Sequence, residues 1–223
     1  MPSAIIHRCV NKRVEEELKK YKTIQDKYIY DVAAIAPDSW RNTERFKNSN
    51  LPKKQKRMYS HFSKENEFVE NYNFFKEKYK NNLDNPFIFG YLIHLMTDNF
   101  WRLEMYYKNT FDINNIDNEL LNIEHLEEKS EINNDVEILT KKLSEYYKIK
   151  VLRNILDEEI DQIPSIDELT YDGINDTINF TNKQLTKEIN SKTIKYDLND
   201  IVNGIEICVK KIIDELGELW KKY

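Results

Sequence analysis

Apolar residues recur at helical spacing through most of the chain. Within residues 3–21, Ile6, Val10, Val14 and Leu18 follow one another at intervals of four, while Lys, Arg and Glu occupy the other side. This is the pattern of an amphipathic helix whose apolar stripe packs on a core.

Three further segments of the first half are assigned from the same pattern. Residues 28–36 predict a compact apolar helix that ends near Pro37, because the proline ring disfavours helical geometry in the residue before it. Residues 64–79 repeat aromatic side chains at helical spacing, and the most apolar helix is predicted from residue 87 to about residue 107. Residues 41–59 are polar and have no apolar period, which is typical of a long surface loop.

The second half consists mainly of amphipathic stretches rich in Ile, Leu, Lys and Glu. These stretches predict helices over residues 136–147, 151–163, 167–189 and 198–223. The region of residues 114–134 is rich in Asn and acidic residues and predicts a loop carrying a short helix. The whole pattern predicts an all-α fold: one compact multi-helix domain over residues 1–223, in which residues 114–223 add amphipathic helices.

Composition narrows the classes of protein that fit. With 4 Gly and 5 Pro in 223 residues, the chain lacks the turn residues that β-sandwiches, barrels and phosphate-binding loops need. Hydrophobic residues make up 40% of the chain, and the 14 Tyr and 10 Phe supply enough apolar area for a core. The formal net charge of -5 argues against general nucleic-acid binding, which requires a basic face.

The amino-terminal residues predict an intracellular protein. Residues 1–10 contain no basic region followed by a small-residue cleavage site, so we expect no secretory signal and a cytoplasmic location. No apolar run is long enough for a transmembrane segment. Cys9 and Cys208 lie far apart in the chain and are interpreted as buried thiols rather than as a disulfide.

The strongest chemical signal lies in the most apolar predicted helix. His94 and Asp98 are four residues apart, which places an imidazole and a carboxylate one turn apart on one face. Burying a carboxylate among apolar side chains is costly unless a positive charge compensates it. Either a metal ion or Arg102, one turn further on, would supply this positive charge. A metal site and a structural hydrogen-bond network are therefore both open interpretations of the pair.

Three other residues in the first half could also take part in a functional site. His7 flanks the first apolar stripe, Asp38 follows the expected helix end at Pro37, and His61 follows the polar loop. Each has a simple structural interpretation: a histidine at a helix seam, a turn cap and a surface histidine.

Four motifs nevertheless occur in a recognisable order. They are Ile-Ile-His7, Ala-Ile-Ala-Pro-Asp38, Ser60-His61-Phe62, and Gly90-Tyr91-Leu92-Ile93-His94 followed by Asp98. Over residues 1–107 the chain thereby resembles the bacterial zinc-dependent phospholipase C family, whose wider relatives include single-strand-specific zinc nucleases. The resemblance implies that family's fold.

The resemblance also implies a set of metal ligands. Asp38, His61, His94 and Asp98 would hold one ion, and Asp98 would bridge to a second ion held by His7. Imidazole nitrogen and carboxylate oxygen are ligands that Zn²⁺ accepts.

The chain departs from the family beyond Asp98. Members of the family have a trinuclear cluster completed by the free amino terminus, a further histidine and a His-x-x-x-Glu pair. Glu104 stands where the next histidine is expected, about 120° around a continuous helix from the Asp98 face, and His125 is followed by Glu128 at a different spacing. We therefore expect one or two zinc ions, with Glu104 as a weaker candidate ligand and a third ion disfavoured.

The implied activity is metal-dependent hydrolysis of a phosphoric ester, of the phospholipase C type. The substrate would be a phosphoester small molecule or a phospholipid headgroup. By the resemblance, Asp38 is the catalytic residue that accepts the proton of water, and Asp31 and Glu104 are weaker alternatives. The basic run before His61 comprises Lys53, Lys54, Lys56 and Arg57. It would either contact an anionic substrate or form a solvated loop.

Two other functions remain open. The first is a catalytically degenerate helical protein of the same fold that serves in metal binding or interaction. The second is a single-strand nuclease, which the acidic net charge disfavours.

Overall fold

The computed structural model describes residues 3–21, 23–42, 48, 50, 60–62, 72–101, 137–166, 169–189 and 197–220. Throughout these ranges the regular structure is helical and contains no strand, which confirms the predicted all-α class. A single apolar core runs through helices of both halves of the chain.

The regular structure of this described part consists of seven α-helices, a two-residue helical piece at residues 60–61 and three 3-10 turns. The helices are α1 (Ala4–Leu18), α2 (Lys27–Ala33), α3 (Tyr72–Lys78), α4 (Pro86–Trp101), α5 (137–146), α6 (Tyr171–Thr186) and α7 (Leu198–Trp220). The 3-10 turns are Ala36–Asn42, Lys80–Asn82 and Asp157–Gln162.

Helix α4 is the central element of the core. Every residue from Phe87 to Asn99 is buried, and the helix packs against α1, α2, α3 and α7. A helix that is covered on all sides carries apolar residues all round, which explains its sequence. Its start is set by Asn85, whose side-chain oxygen accepts hydrogen bonds from the backbone N–H groups of Phe87 and Ile88, with Pro86 in the first helical position.

Helices α2 and α4 cross unusually closely at Gly90. A Cβ atom at this position would lie 2.5 Å from the carbonyl oxygen of Tyr30 and 2.8 Å from the Cβ of Ala33. Only glycine permits this approach. The crossing brings the end of α2, and the 3-10 turn that follows it, beside the second half of α4.

The carboxyl-terminal helices cover the first half of the chain. Helix α7 packs against α1 and α4, and α6 packs against the 3-10 turn Ala36–Asn42. The buried guanidinium of Arg8 adds a polar link, because its Nη2 donates to the carbonyl oxygen of Lys150 at 2.7 Å. The two halves therefore share one core and cannot be regarded as independent layers.

The helix predicted over residues 151–163 is wrong. Residues 151–156 have no regular secondary structure, and only the 3-10 turn Asp157–Gln162 follows. Two asparagines of α6 satisfy the backbone of this segment: Asn182 pairs with both the N–H and the C=O of Leu152, and Asn175 accepts from the N–H of Ile155. Because these partners lie on another helix, the local apolar pattern could not show them.

Other boundaries differ by a few residues. Helix α2 ends at Ala33, and Pro37 and Asp38 belong to the 3-10 turn that follows. Helix α6 begins at Tyr171, where the hydroxyl of Thr170 caps the N–H of Gly173.

The described residues also bear on the predictions made for the two cysteines and for membrane-spanning segments. Cys9 and Cys208 are both buried and unbridged, which confirms their interpretation as thiols. None of the described helices has the length and apolar character needed to cross a bilayer. The segments of residues 102–136, 63–71 and almost all of 43–59 lie outside the described residues, and so do the predictions made for them.

Candidate metal centre

Four parts of the chain bring five side chains to one place. Helix α1 supplies His7, the 3-10 turn supplies Asp38, a short helical piece at residues 60–61 supplies His61, and α4 supplies His94 and Asp98. These five residues, called here the His/Asp cluster, are the five that the sequence singled out. Four of them are at most 2% exposed, while the Asp38 side chain is 17% exposed.

The carboxylate of Asp98 lies at the centre of the cluster. Its Oδ2 is 3.3 Å from Nε2 of His61 and 3.4 Å from Nε2 of His94, and its Oδ1 is 3.5 Å from Nε2 of His7. On the outer side, Oδ1 of Asp38 is 3.9 Å from Nε2 of His61. Three imidazoles thus direct the same ring nitrogen toward one carboxylate.

These side chains form two overlapping groups of possible metal ligands. One contains His7, His94 and Asp98, the other contains Asp38, His61 and His94, and within each group the ligand atoms lie within 4.8 Å of one another. A tetrahedral zinc ion with bonds of about 2.0–2.1 Å keeps its ligand atoms about 3.3–3.4 Å apart. The cluster can therefore hold a metal ion with little movement. His94 belongs to both groups, whereas the family resemblance gives the bridging position to Asp98.

One hydrogen bond to a residue outside the cluster orients the His94 ring. Its Nδ1 lies 2.7 Å from the carbonyl oxygen of Ala34, and because a carbonyl only accepts, Nδ1 carries the hydrogen. In the neutral ring the Nε2 lone pair then faces the cluster, 3.3 Å from Nε2 of His61. Two ring nitrogens at this distance require a hydrogen or a cation between them. The donor set therefore fits a bound cation.

The surroundings shift the pKa values of His7 and His94 in opposite directions. Burial, reinforced by the neighbouring His94, lowers the pKa of His7 to about 4. His7 is therefore neutral at pH 7, the form in which imidazole binds a metal. Burial also disfavours charge on His94, but its hydrogen bond to Asp98 and the charges of Asp98 and Asp38 outweigh this and raise its pKa. The His7 and His94 rings are stacked, with centroids 3.7 Å apart.

Of the other candidates, only Asp31 lies among the described residues. It forms a two-point ion pair with Arg8, at 2.8 Å and 3.2 Å, which occupies both of its carboxylate oxygens, and it is therefore engaged away from the cluster. Three sets of residues lie outside the described ranges: the weaker ligand Glu104, the alternative charge partner Arg102, and the basic run of Lys53, Lys54, Lys56 and Arg57.

Sequence reasoning missed the residues that support the ligands. The carbonyl of Ala34 orients His94, the hydroxyl of Ser60 lies 2.9 Å from Nδ1 of His61, and the hydroxyl of Tyr91 donates to the carbonyl of Ser60. Tyr91 stands three residues before His94, so its position on the ligand face of α4 was the available signal. A backbone carbonyl leaves no such signal in a sequence.

We compared the chain with models of protein families, with curated proteins and with solved structures, and no match was found in any of the three.

Proposed function

We propose that the protein is a zinc-dependent phosphoric-ester hydrolase of the phospholipase C type. The observation that carries the proposal is the convergence of three imidazole nitrogens and two carboxylates in one buried cluster, of which a single carboxylate reaches solvent. Purely structural histidines do not need to direct three Nε2 atoms at one carboxylate.

The ligand types favour zinc among the common divalent ions. Magnesium and calcium prefer oxygen ligands, whereas three imidazoles with two carboxylates suit Zn²⁺. When bound, zinc would lower the pKa of a water molecule and stabilise charge on the oxygens of a phosphoric ester. His7, His61, His94, Asp98 and Asp38 would hold one or two such ions.

The partial exposure of Asp38 supports its proposed role as the catalytic base. Its side chain is 17% exposed while the other cluster residues are buried, so water and substrate would approach from its side. Helix α6 packs against the 3-10 turn that carries Asp38 and limits the movement of its backbone. The Asp38 carboxylate would accept the proton of the attacking water.

The substrate class follows from the same chemistry. A phosphoester small molecule or the headgroup of a phospholipid presents a phosphate to the cluster without requiring a basic surface. A polynucleotide would need an extended basic face, which a net charge of -5 disfavours.

The first experiment combines metal analysis with activity. The purified protein, dialysed against zinc and then against buffer, should retain at least one equivalent of zinc, and His94→Ala should lose most of it. Wild-type protein should hydrolyse a chromogenic phosphodiester or a phosphocholine ester, and Asp98→Asn should not. Asp200→Asn, at an exposed position in the first turn of α7, is the matched control and should keep both properties.

Three outcomes would contradict the proposal in different ways. A wild-type protein that takes up no zinc would exclude the metal centre. Bound zinc without turnover on a broad panel of phosphoric esters would favour the catalytically degenerate metal-binding protein. Cleavage of single-stranded nucleic acid over a salt series would favour the nuclease.

A further inference from the structure

We propose that Tyr91 and Ser60 are positioning residues, which hold the His61 ring so that its Nε2 lies 3.3 Å from Nε2 of His94. The inference rests on the proposed metal-dependent function, since it concerns how one ligand of the His/Asp cluster is held. Neither residue is itself a candidate ligand.

Two hydrogen bonds in series connect helix α4 to the His61 ring. The buried hydroxyl of Tyr91 donates to the carbonyl oxygen of Ser60, across 31 positions of the chain. The hydroxyl of Ser60, also buried, lies 2.9 Å from Nδ1 of His61. Because Tyr91 precedes His94 by one helical turn, the same helix that carries His94 also holds the segment that carries His61.

The residue after His61 is held by the same tyrosine. Phe62 has a φ of 54°, the left-handed region that a residue with a side chain seldom adopts. Its ring packs edge-on against Phe75 and Tyr91, with centroids 5.1 Å and 6.3 Å away, and Phe75 and Tyr91 are themselves stacked at 4.8 Å. Tyr91 therefore contacts the chain on both sides of His61, and its packing supports a costly backbone conformation.

The Ser60 hydroxyl has a specific role toward the ring. For Nε2 of His61 to offer its lone pair to an ion, Nδ1 must carry the hydrogen and donate it. Ser60 Oγ is the acceptor at that position, as the Ala34 carbonyl is for His94. Outer hydrogen bonds of this kind orient metal-binding histidines and raise their affinity for the ion.

A pair of tyrosine variants tests the positioning role. Tyr91→Phe removes only the hydroxyl and keeps the stacked ring. The matched control is Tyr30→Phe, because Tyr30 is also buried and also donates to a backbone carbonyl, that of Asn11 at 3.0 Å. The readouts are zinc affinity, by competition with a chromophoric chelator, and the visible absorption spectrum of the Co²⁺-loaded protein, which reports ligand number and geometry.

We expect both variants to lose folding stability to a similar extent, since each loses one buried hydrogen bond. Of the two tyrosine variants, only Tyr91→Phe should bind zinc about 10- to 100-fold more weakly than the wild type and show a changed cobalt spectrum. Ser60→Ala should behave in the same way, and Ser60→Thr, which keeps a hydroxyl, should recover part of the affinity. Ser39→Ala should bind zinc as the wild type does, because the buried Ser39 hydroxyl has no hydrogen-bond partner among the described residues.

Failure of this inference is distinguishable from failure of the proposed function. If Tyr91→Phe and Ser60→Ala are folded and bind zinc with wild-type affinity and an unchanged cobalt spectrum, the positioning role is overturned and the metal centre stands. If the wild-type protein itself binds neither zinc nor cobalt, the proposed function and this inference both fall.

Discussion

Asp98 is a fully buried charged residue at the centre of the His/Asp cluster. Its carboxylate is 1% exposed and lies among three imidazoles, within an otherwise apolar helix. A buried carboxylate is tolerated when positive charge and hydrogen bonds compensate it. A cation bound to the carboxylate and the ring nitrogens together would supply this compensation, and these side chains could hold one.

A zinc-dependent gain in stability should therefore depend on Asp98. At a free zinc concentration of 100 times Kd, the wild-type protein should gain about 2.7 kcal/mol in free energy of unfolding, because zinc binds the folded state. Asp98→Asn should gain little, and Asp200→Asn should match the wild type. Denaturant unfolding with chelator and with buffered zinc measures the difference, and a wild-type protein without a zinc-dependent gain would indicate a structural network.

The crossing of α2 and α4 sets how closely the ligands can approach. Ala34, just after α2, accepts the hydrogen bond of His94, and Asp38 follows four residues later. The distance between the two helices at Gly90 is thus coupled to the geometry of the cluster. A small residue in the most apolar helix is needed for this approach, since a Cβ there would meet backbone oxygen.

Gly90→Ala should disturb both packing and metal binding. The added Cβ would push α2 away, at a cost of about 1–3 kcal/mol in folding free energy, and would move the Ala34 carbonyl from His94. Gly217→Ala is the matched control, because a Cβ at Gly217 in α7 meets nothing within 4 Å. That control should gain about 0.5–1 kcal/mol from helix propensity. Thermal unfolding and zinc titration of the two variants, side by side, would show the contrast; equal behaviour would contradict the close-crossing argument.

The two halves of the chain are joined by one core. All five cluster residues come from the first 98 residues, yet α7 covers α1 and α4, and α6 covers the turn that carries Asp38. Arg8, the neighbour of His7, pairs with Asp31 and also with the Lys150 carbonyl. The second half thus supports the site without supplying a described ligand.

A chain ending at residue 107 should therefore fail to form the metal centre, although it contains every described ligand. It would expose the apolar faces that α6 and α7 cover, and we expect no cooperative thermal transition and no tight zinc binding. Co-expression with residues 108–223 should restore both, if the two pieces associate. A truncated chain that folds and binds zinc with full-length affinity would contradict this view.

Local pattern was sufficient for the helical class and for the main helices, because helical period and proline punctuation are short-range properties, and the spacing of His94 and Asp98 marked those two residues. The grouping of His7, Asp38 and His61 with them rested on the resemblance of the motifs to a known family, not on local pattern. The non-helical segment of residues 151–156 was not predictable, since its hydrogen-bond partners Asn175 and Asn182 lie on another helix. The close approach at Gly90, the hold of Tyr91 on the segment of His61, and the sharing of His94 by both ligand groups depend on contacts between segments far apart in the sequence. Such contacts exist only after the helices have packed, so tertiary structure decided how the predicted ligands meet and which of them faces solvent.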